Sequence, residues 1–391
     1  MPATGSPLRK IAAAGILAAG ACLVVAILVF GVNAKTATGR DFLQYWALER
    51  QLAHGANPYD EAALLRIERS VGMDKPGALM SLSPPVGFAF AVPLGWVAVK
   101  PALIMWLLLL LACVSASVSI LWLLHGRPHS RWHVIAIGFP PTLWCLISGQ
   151  LGIFFLLDIV LFLYFVRSRP WLAGASLVLA ALKPHLFLPF GVALLAWSLF
   201  KRDFRVLLGF AAALAIACGS TLALDPRVWT EYARMMRANS IVDQFIPTIG
   251  MLLRFGIHPA ARWIEFVPEA GACLWAAWYF LARRKHWDWN REGLLVLLVS
   301  VACTPYSWYC DQTLLFPAIL VGLYRAEQSV VSLALFLAIT GAGMVGFLAQ
   351  IPMTSSYYVW TAPAWLLWYL YATRKAHAPA AAAPGPASAA C

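Results

Sequence analysis

Along its length the chain alternates long apolar runs with short charged turns. Apolar runs cover 11–33, 101–124, 132–148, 151–166, 171–182, 186–200, 206–224, 262–282, 293–305, 311–324, 329–349 and 357–373. They are built mainly from Leu, Ala, Val, Phe and Trp and show no period-two alternation, so they predict helices and exclude a barrel. A helix needs about 20 residues to cross a hydrocarbon core, and somewhat fewer when it is broken. The pattern therefore predicts an all-α polytopic membrane protein, a bundle of about 12 spans. Residues 83–99, SPPVGFAFAVPLGWVAV, are short and Pro-broken and predict an interfacial or re-entrant helix. The expected organisation is a cytoplasmic N-terminus (1–10), a transmembrane domain (11–373) and a disordered Ala/Pro-rich cytoplasmic tail (374–391). The transmembrane domain carries a first outer loop with interfacial helices (34–100) and a second outer loop (225–261).

Composition agrees with this reading: 61% of the 391 residues are hydrophobic and 12% charged, which excludes an ordinary soluble domain. The net charge of +12 raises nucleic acid as a partner, but its distribution argues against it. Basic connectors belong on the cytoplasmic side, and one threading satisfies all of them. In that threading the inner connectors hold 16 of the 29 Lys/Arg and 4 of the 17 Asp/Glu, namely Asp203, Asp288, Glu292 and Glu327. The whole positive excess then lies on one side, both termini are cytoplasmic, and the long loops face outward. A full span at 83–99 would scatter HGRPHSR, RSR and KRDFR over both sides. Val32-Asn33-Ala34 resembles a signal-peptidase site, but the run before it exceeds the usual h-region of about 7 to 15 residues, so a retained anchor is expected.

The eight cysteines form no CxxC pair and no Cys/His metal spacing, so no metal ligands are assigned; Cys303 and Cys310 could meet in an oxidising compartment, but isolated apolar cysteines are the commoner case. Polar groups at membrane depth are costly, which makes those left after the basic turns candidates for function. Asp41, Gln150, Lys183, His185, Tyr306, Tyr309 and Asp311 all fall at outer ends of runs. Asp41, in GRDFLQYW, has two readings, a general base on a hydroxyl or the N-cap of the helix that follows. Asp60 precedes EAALLRIERS and reads as an N-cap. Gly149-Gln150 offers a turn and a neutral amide. Lys183, in LAALKPHLFLPF, is either an ammonium awaiting an anion such as a lipid phosphate or a snorkelling lysine. His185 beside it either assists with phosphate or lines the groove. The rings of CTPYSWYCDQ either stack on a sugar or form an interfacial belt. Asp158, deeper in FFLLDIVLF, is expected to pair with another helix.

Taken in order, GRDFLQYWALERQLAHGANPYDEAALL, SPPVGFAFAVPLGWV, SGQLGIFFLLDIVLF, RPWLAGASLVLAALKPHLFLPFGVALL and TPYSWYCDQTLLFPAI resemble glycosyltransferase family 87 over about residues 15–325. Where many relatives show Tyr-Pro-Pro this chain has Ser83-Pro84-Pro85. The resemblance implies a GT-C membrane fold in the cell membrane, with the active site on the outer face. It implies inverting transfer of a hexose, most often mannose, from a polyprenyl-phosphate sugar to a lipid or glycan acceptor. Asp41 is then the catalytic carboxylate. Lys183, Arg40 and His185 are the donor-phosphate contacts, and Gln44, Tyr45, Gln150, Tyr306, Tyr309 and Asp311 line the acceptor and sugar groove. No nucleotide cofactor is implied, and dependence on a divalent metal is left open. The competing readings are a polytopic lipid or solute transporter and a non-catalytic partner in envelope assembly.

Overall fold

A computed structural model describes residues 39–128, 132–238, 245–326 and 329–374. The first apolar run, the signal-peptidase-like site and residues 375–391 of the tail lie outside them. All regular structure among the described residues is helical. The helices are α1 (Phe42–Ala53), α2 (Glu61–Ser70), α3 (Phe88–Gly95), α4 (Val99–Leu124), α5 (Pro140–Ser148), α6 (Gly152–Phe165), α7 (Pro170–Ser176) and α8 (Leu188–Lys201). They continue with α9 (Arg205–Leu224), α10 (Val228–Ala238), α11 (Ile249–Ile257), α12 (Val267–Arg283), α13 (Leu294–Cys303), α14 (Phe316–Ala326), α15 (Val330–Leu348) and α16 (Thr361–Thr373).

Among the described residues four helical segments are long and apolar enough to cross a membrane: α4, Pro184–Lys201, α9 and α15. The protein is thus a helical membrane protein, and its other described apolar runs form shorter or broken helices. The breaks have local causes. The 171–182 run, for example, is α7 followed by a tighter 3-10 stretch, Leu177–Leu182. There the residue before Pro184 is driven from the helical region, and Lys183 adopts φ −141°, ψ 68°. Likewise the chain turns at Pro84, whose carbonyl accepts the Val86 N–H at 2.7 Å, and bends on through Gly87 at φ +75°, so the helix expected from Ser83 begins only at Phe88. Residues 225–261, expected from the sequence to form an outer loop, contain α10 and α11.

The chain forms two compact units. The first comprises the described residues up to Ser115, with Leu146–Leu151 and Leu214 onward to residue 238. In it α1 buries Phe42, Leu43, Trp46, Ala47, Leu48 and Leu52, while the Trp46 indole donates to the Val97 carbonyl at 3.1 Å. Asp60 caps α2 as expected, accepting the Ala63 N–H at 3.0 Å. The segment leading into α3 is pinned by polar anchors. Glu68 accepts the Leu79 N–H at 3.0 Å, and the Tyr232 and Tyr59 hydroxyls donate to the carbonyls of Leu82 and Ser83 at 3.1 and 3.3 Å.

The second unit comprises Ala116–Cys145, Gly152–Ala213 and the described residues from Phe245 on. Packing inside a bilayer gains nothing from water exclusion, so small residues that bring backbones together matter most. Helices α7 and α9 cross in this way: Gly174 lies on the Val206 carbonyl and Gly209 on the Trp171 carbonyl, leaving no room for a Cβ on either. Asp158 on α6 is buried beside the backbone of Leu179 and Ala180, and its Oδ2 has no hydrogen-bond partner among the described residues, so the pairing expected from its depth is not complete. Cys303 and Cys310 are not bridged.

Candidate active site

The start of α1 is unusual in what Asp41 does not do. Asp41 occupies the N-cap position, but its backbone is already helical, with φ −66° and ψ −18°, and its side chain makes no capping bond. An N-cap residue ordinarily has extended backbone, so that its carboxylate can turn back onto the first free N–H groups. Here the carboxylate is directed elsewhere: Asp41 Oδ2 accepts from Gln150 Nε2 at 2.7 Å. Because a carboxylate can only accept from it, the amide orientation follows, and Gln150 Oε1 accepts in turn from the Tyr45 hydroxyl at 3.0 Å. Tyr45 lies one helical turn after Asp41, so both ends of this short relay stand on the same face of α1.

Gln150 is held on the other side by its own turn. Gly149 has φ +73°, a conformation glycine adopts without strain. A Cβ there would stand 2.8 Å from the Phe42 Cβ, so the turn is pressed against the first residue of α1. The Gly149 carbonyl accepts from the Trp106 indole at 2.8 Å, and the Trp106 ring packs 5.8 Å from that of Tyr45. Trp106 escaped the sequence analysis, since one Trp in the apolar run of α4 carries no local signal. Gln150 is only 5% exposed, whereas Asp41 and Tyr45 are half-buried. The geometry is a half-buried carboxylate oriented by a buried amide.

Arg40 and Gln44 complete this end of α1. The Arg40 guanidinium donates from Nη1 to the Leu146 carbonyl at 3.4 Å and to the Ile147 carbonyl. These carbonyls belong to the last turn of α5, where a cation is favoured by the unpaired C=O groups. Arg40 thereby ties α5 to the residue preceding Asp41. Gln44 is half-buried, and its backbone N–H donates to the Asp41 carbonyl at 3.2 Å.

The remaining candidates gather in the second unit around Lys183. Its ammonium donates to both carboxylate oxygens of Asp311, at 2.8 and 2.9 Å, with Lys183 only 7% exposed and Asp311 fully buried. Asp311 also accepts the Trp308 N–H at 2.9 Å, at the start of the 3-10 turn Tyr309–Leu315. The Tyr306 ring lies 5.9 Å from the ammonium, His185 packs edge-on against that ring at 5.4 Å, and the Trp308 indole donates to the Tyr306 hydroxyl at 2.9 Å. A buried ammonium must have a partner, and here it is a side chain of the same unit. Tyr309 points away from this group: it is 2% exposed, stacked on Tyr358 with ring centroids 4.7 Å apart. The sequence singled out both Lys183 and Asp311 but not their pairing across 128 positions.

Among the described residues no three His, Cys, Asp or Glu side chains are grouped so as to hold a metal ion. No curated protein and no solved structure matches the chain. Residues 82–305 match the model of glycosyltransferase family 87. That segment spans more than half of the chain and includes Gln150, Lys183 and His185; Asp41 precedes it and Asp311 follows it. The chain belongs to glycosyltransferase family 87, and this helical membrane protein is a glycosyltransferase.

Proposed function

We propose that the protein transfers a hexose, mannose or a close analogue, from a polyprenyl-phosphate sugar to a lipid or glycan acceptor, with Asp41 as the general base. The observation that carries this reading is the Asp41 carboxylate itself, which forgoes its helix cap and is held by Gln150 at 2.7 Å. An acid that merely stabilised α1 would bond the N–H groups within reach. Family membership supports the transferase class over the transporter reading. The proposal includes a GT-C-like bundle of about 12 spans with its reactive face outward, which the one-sided charge distribution supports.

In the proposed reaction an acceptor hydroxyl approaches Asp41 and attacks the anomeric carbon of the donor. As the new C–O bond forms, the hydroxyl proton passes to the Asp41 carboxylate, and the bond from the anomeric carbon to the phosphate oxygen breaks on the opposite face, inverting the centre. The electron pair leaves with polyprenyl phosphate, a weak base that needs cationic stabilisation rather than a general acid. Gln150 keeps the carboxylate plane fixed, and Tyr45 fixes Gln150. Arg40, adjacent to the base, is the proposed source of positive charge for the phosphate. Asp311 already neutralises Lys183, so that pair and the His185 and Tyr306 rings around it fit a rigid wall better than an open anion site.

The test is sugar transfer by the Asp41→Asn protein in membranes supplied with a labelled polyprenyl-phosphate hexose. General-base removal costs about 10²- to 10⁴-fold in rate. A drop of that size with unchanged expression and a normal gel-filtration profile supports the assignment. Undiminished transfer refutes it.

A further inference from the structure

Helix α10 carries an exposed cationic stripe that the transfer reaction leaves unused. We propose that Arg227, Arg234 and Arg237 form a binding surface for the anionic phosphate headgroups of bulk phospholipid, holding α10 along the membrane interface. The inference rests on the membrane reading of α9 and not on the proposed chemistry of Asp41.

Helix α9 is one of the membrane-crossing candidates and ends at Leu224, while α10 begins at Val228. The link is a tight turn in which Asp225 accepts the Arg227 N–H at 2.9 Å on its side chain and the Val228 N–H at 3.2 Å on its carbonyl. Three linking residues reach at most about 10 Å, so α10 starts within the headgroup layer. At about 100° per residue, the three arginines fall within an arc of roughly 80°. Val228, Glu231 and Met235 occupy a separate arc and are buried. Trp229 and Met236 lie on a third, half-buried and exposed respectively, where they suit the boundary between headgroups and acyl chains.

The arginines are exposed, and none of them forms an ion pair among the described residues. Among the described residues of this segment the acids are Asp225 and Glu231, both buried. Desolvation, with the hydrogen bond and repulsion from Asp225, raises the Glu231 carboxyl above its ordinary value, while Arg227 and Arg234 pull it down. Ten residues separate the outer two arginines, about 15 Å along a helix axis. That spacing suits a row of headgroups and is too wide for convergence on a single lipid-linked phosphate.

Hydrogen–deuterium exchange of residues 228–238 in the full-length protein, reconstituted in phosphatidylglycerol or phosphatidylcholine nanodiscs, tests this directly. Exchange should be at least about fivefold slower in phosphatidylglycerol, the factor one arginine supplies near an anionic surface. Replacing the three arginines by Gln should abolish the difference, and replacing them by Lys should preserve it. Equal exchange of the wild-type segment in both lipids overturns the proposal. So does protection produced in phosphatidylcholine by added polyprenyl phosphate alone, which assigns the stripe to the lipid-linked donor. Because the comparison is made between lipids on each protein, a Gln variant that misfolds leaves the wild-type and Lys arms decisive.

Discussion

Asp41 and Asp60 make an instructive pair. Each is the residue before a helix of the first unit, and each could serve as its cap. Asp60 has φ −74° and ψ 102°, is exposed, and closes the first turn of α2 through the Ala63 N–H. Asp41 has helical backbone, is half-buried, and bonds a side chain 109 residues away. A cap bond is worth roughly 1 kcal/mol to a helix. Where one aspartate takes it and the other does not, the carboxylate of the second is held instead by a buried amide.

That contrast can be broken at several points. The largest effect on stability is expected at Gly149. Ala there must adopt φ +73° and place its Cβ 2.8 Å from that of Phe42, displacing either the turn or α1. Gly149→Ala should cost about 2 to 3 kcal/mol in thermal or denaturant unfolding, and the surviving folded protein should transfer sugar at least about tenfold more slowly. Unchanged unfolding and rate would show that the turn does not set Gln150.

Gln150→Leu comes next and separates orientation from chemistry. It should lower the transfer rate about tenfold and move the acid limb of the pH–rate profile to higher pH, because a hydrogen bond to the ionised form is lost. A rate loss with an unmoved profile would mean that Gln150 contacts substrate and does not tune the base. Tyr45→Phe removes only the hydroxyl behind Gln150, so a few-fold fall in rate with the same direction of shift is expected. Asp60→Ala is the smallest: about 1 kcal/mol of stability and no change in transfer per folded molecule. Loss of activity there would erase the distinction between the two acids.

Local physics made much of this legible in the sequence. The apolar runs predict the helix bounds closely, as at α9 and α15, because residues in lipid have few alternatives to a helix. The cap at Asp60 and the break at Lys183-Pro184 follow from single residue types. What escaped was long-range. Asp41 stood out beforehand, but its link to Gln150 and Tyr45 exists only once α1 meets the Gly149 turn. Lys183 had two readings, an ammonium awaiting an anion or a snorkelling lysine, and it lies buried against Asp311. Helix α10 left a weaker signal, the spacing of Val228, Glu231 and Met235 within a segment rich in arginine.

The most direct measurement sets the two acids side by side: initial rates of hexose transfer from a labelled polyprenyl-phosphate sugar by Asp41→Asn and Asp60→Asn proteins, normalised to folded enzyme. Asn can cap a helix and can occupy the Asp41 position, but it cannot take a proton from a hydroxyl. The account predicts a loss of at least about 100-fold for Asp41→Asn and wild-type rates for Asp60→Asn. Equal rates in the two variants would contradict it.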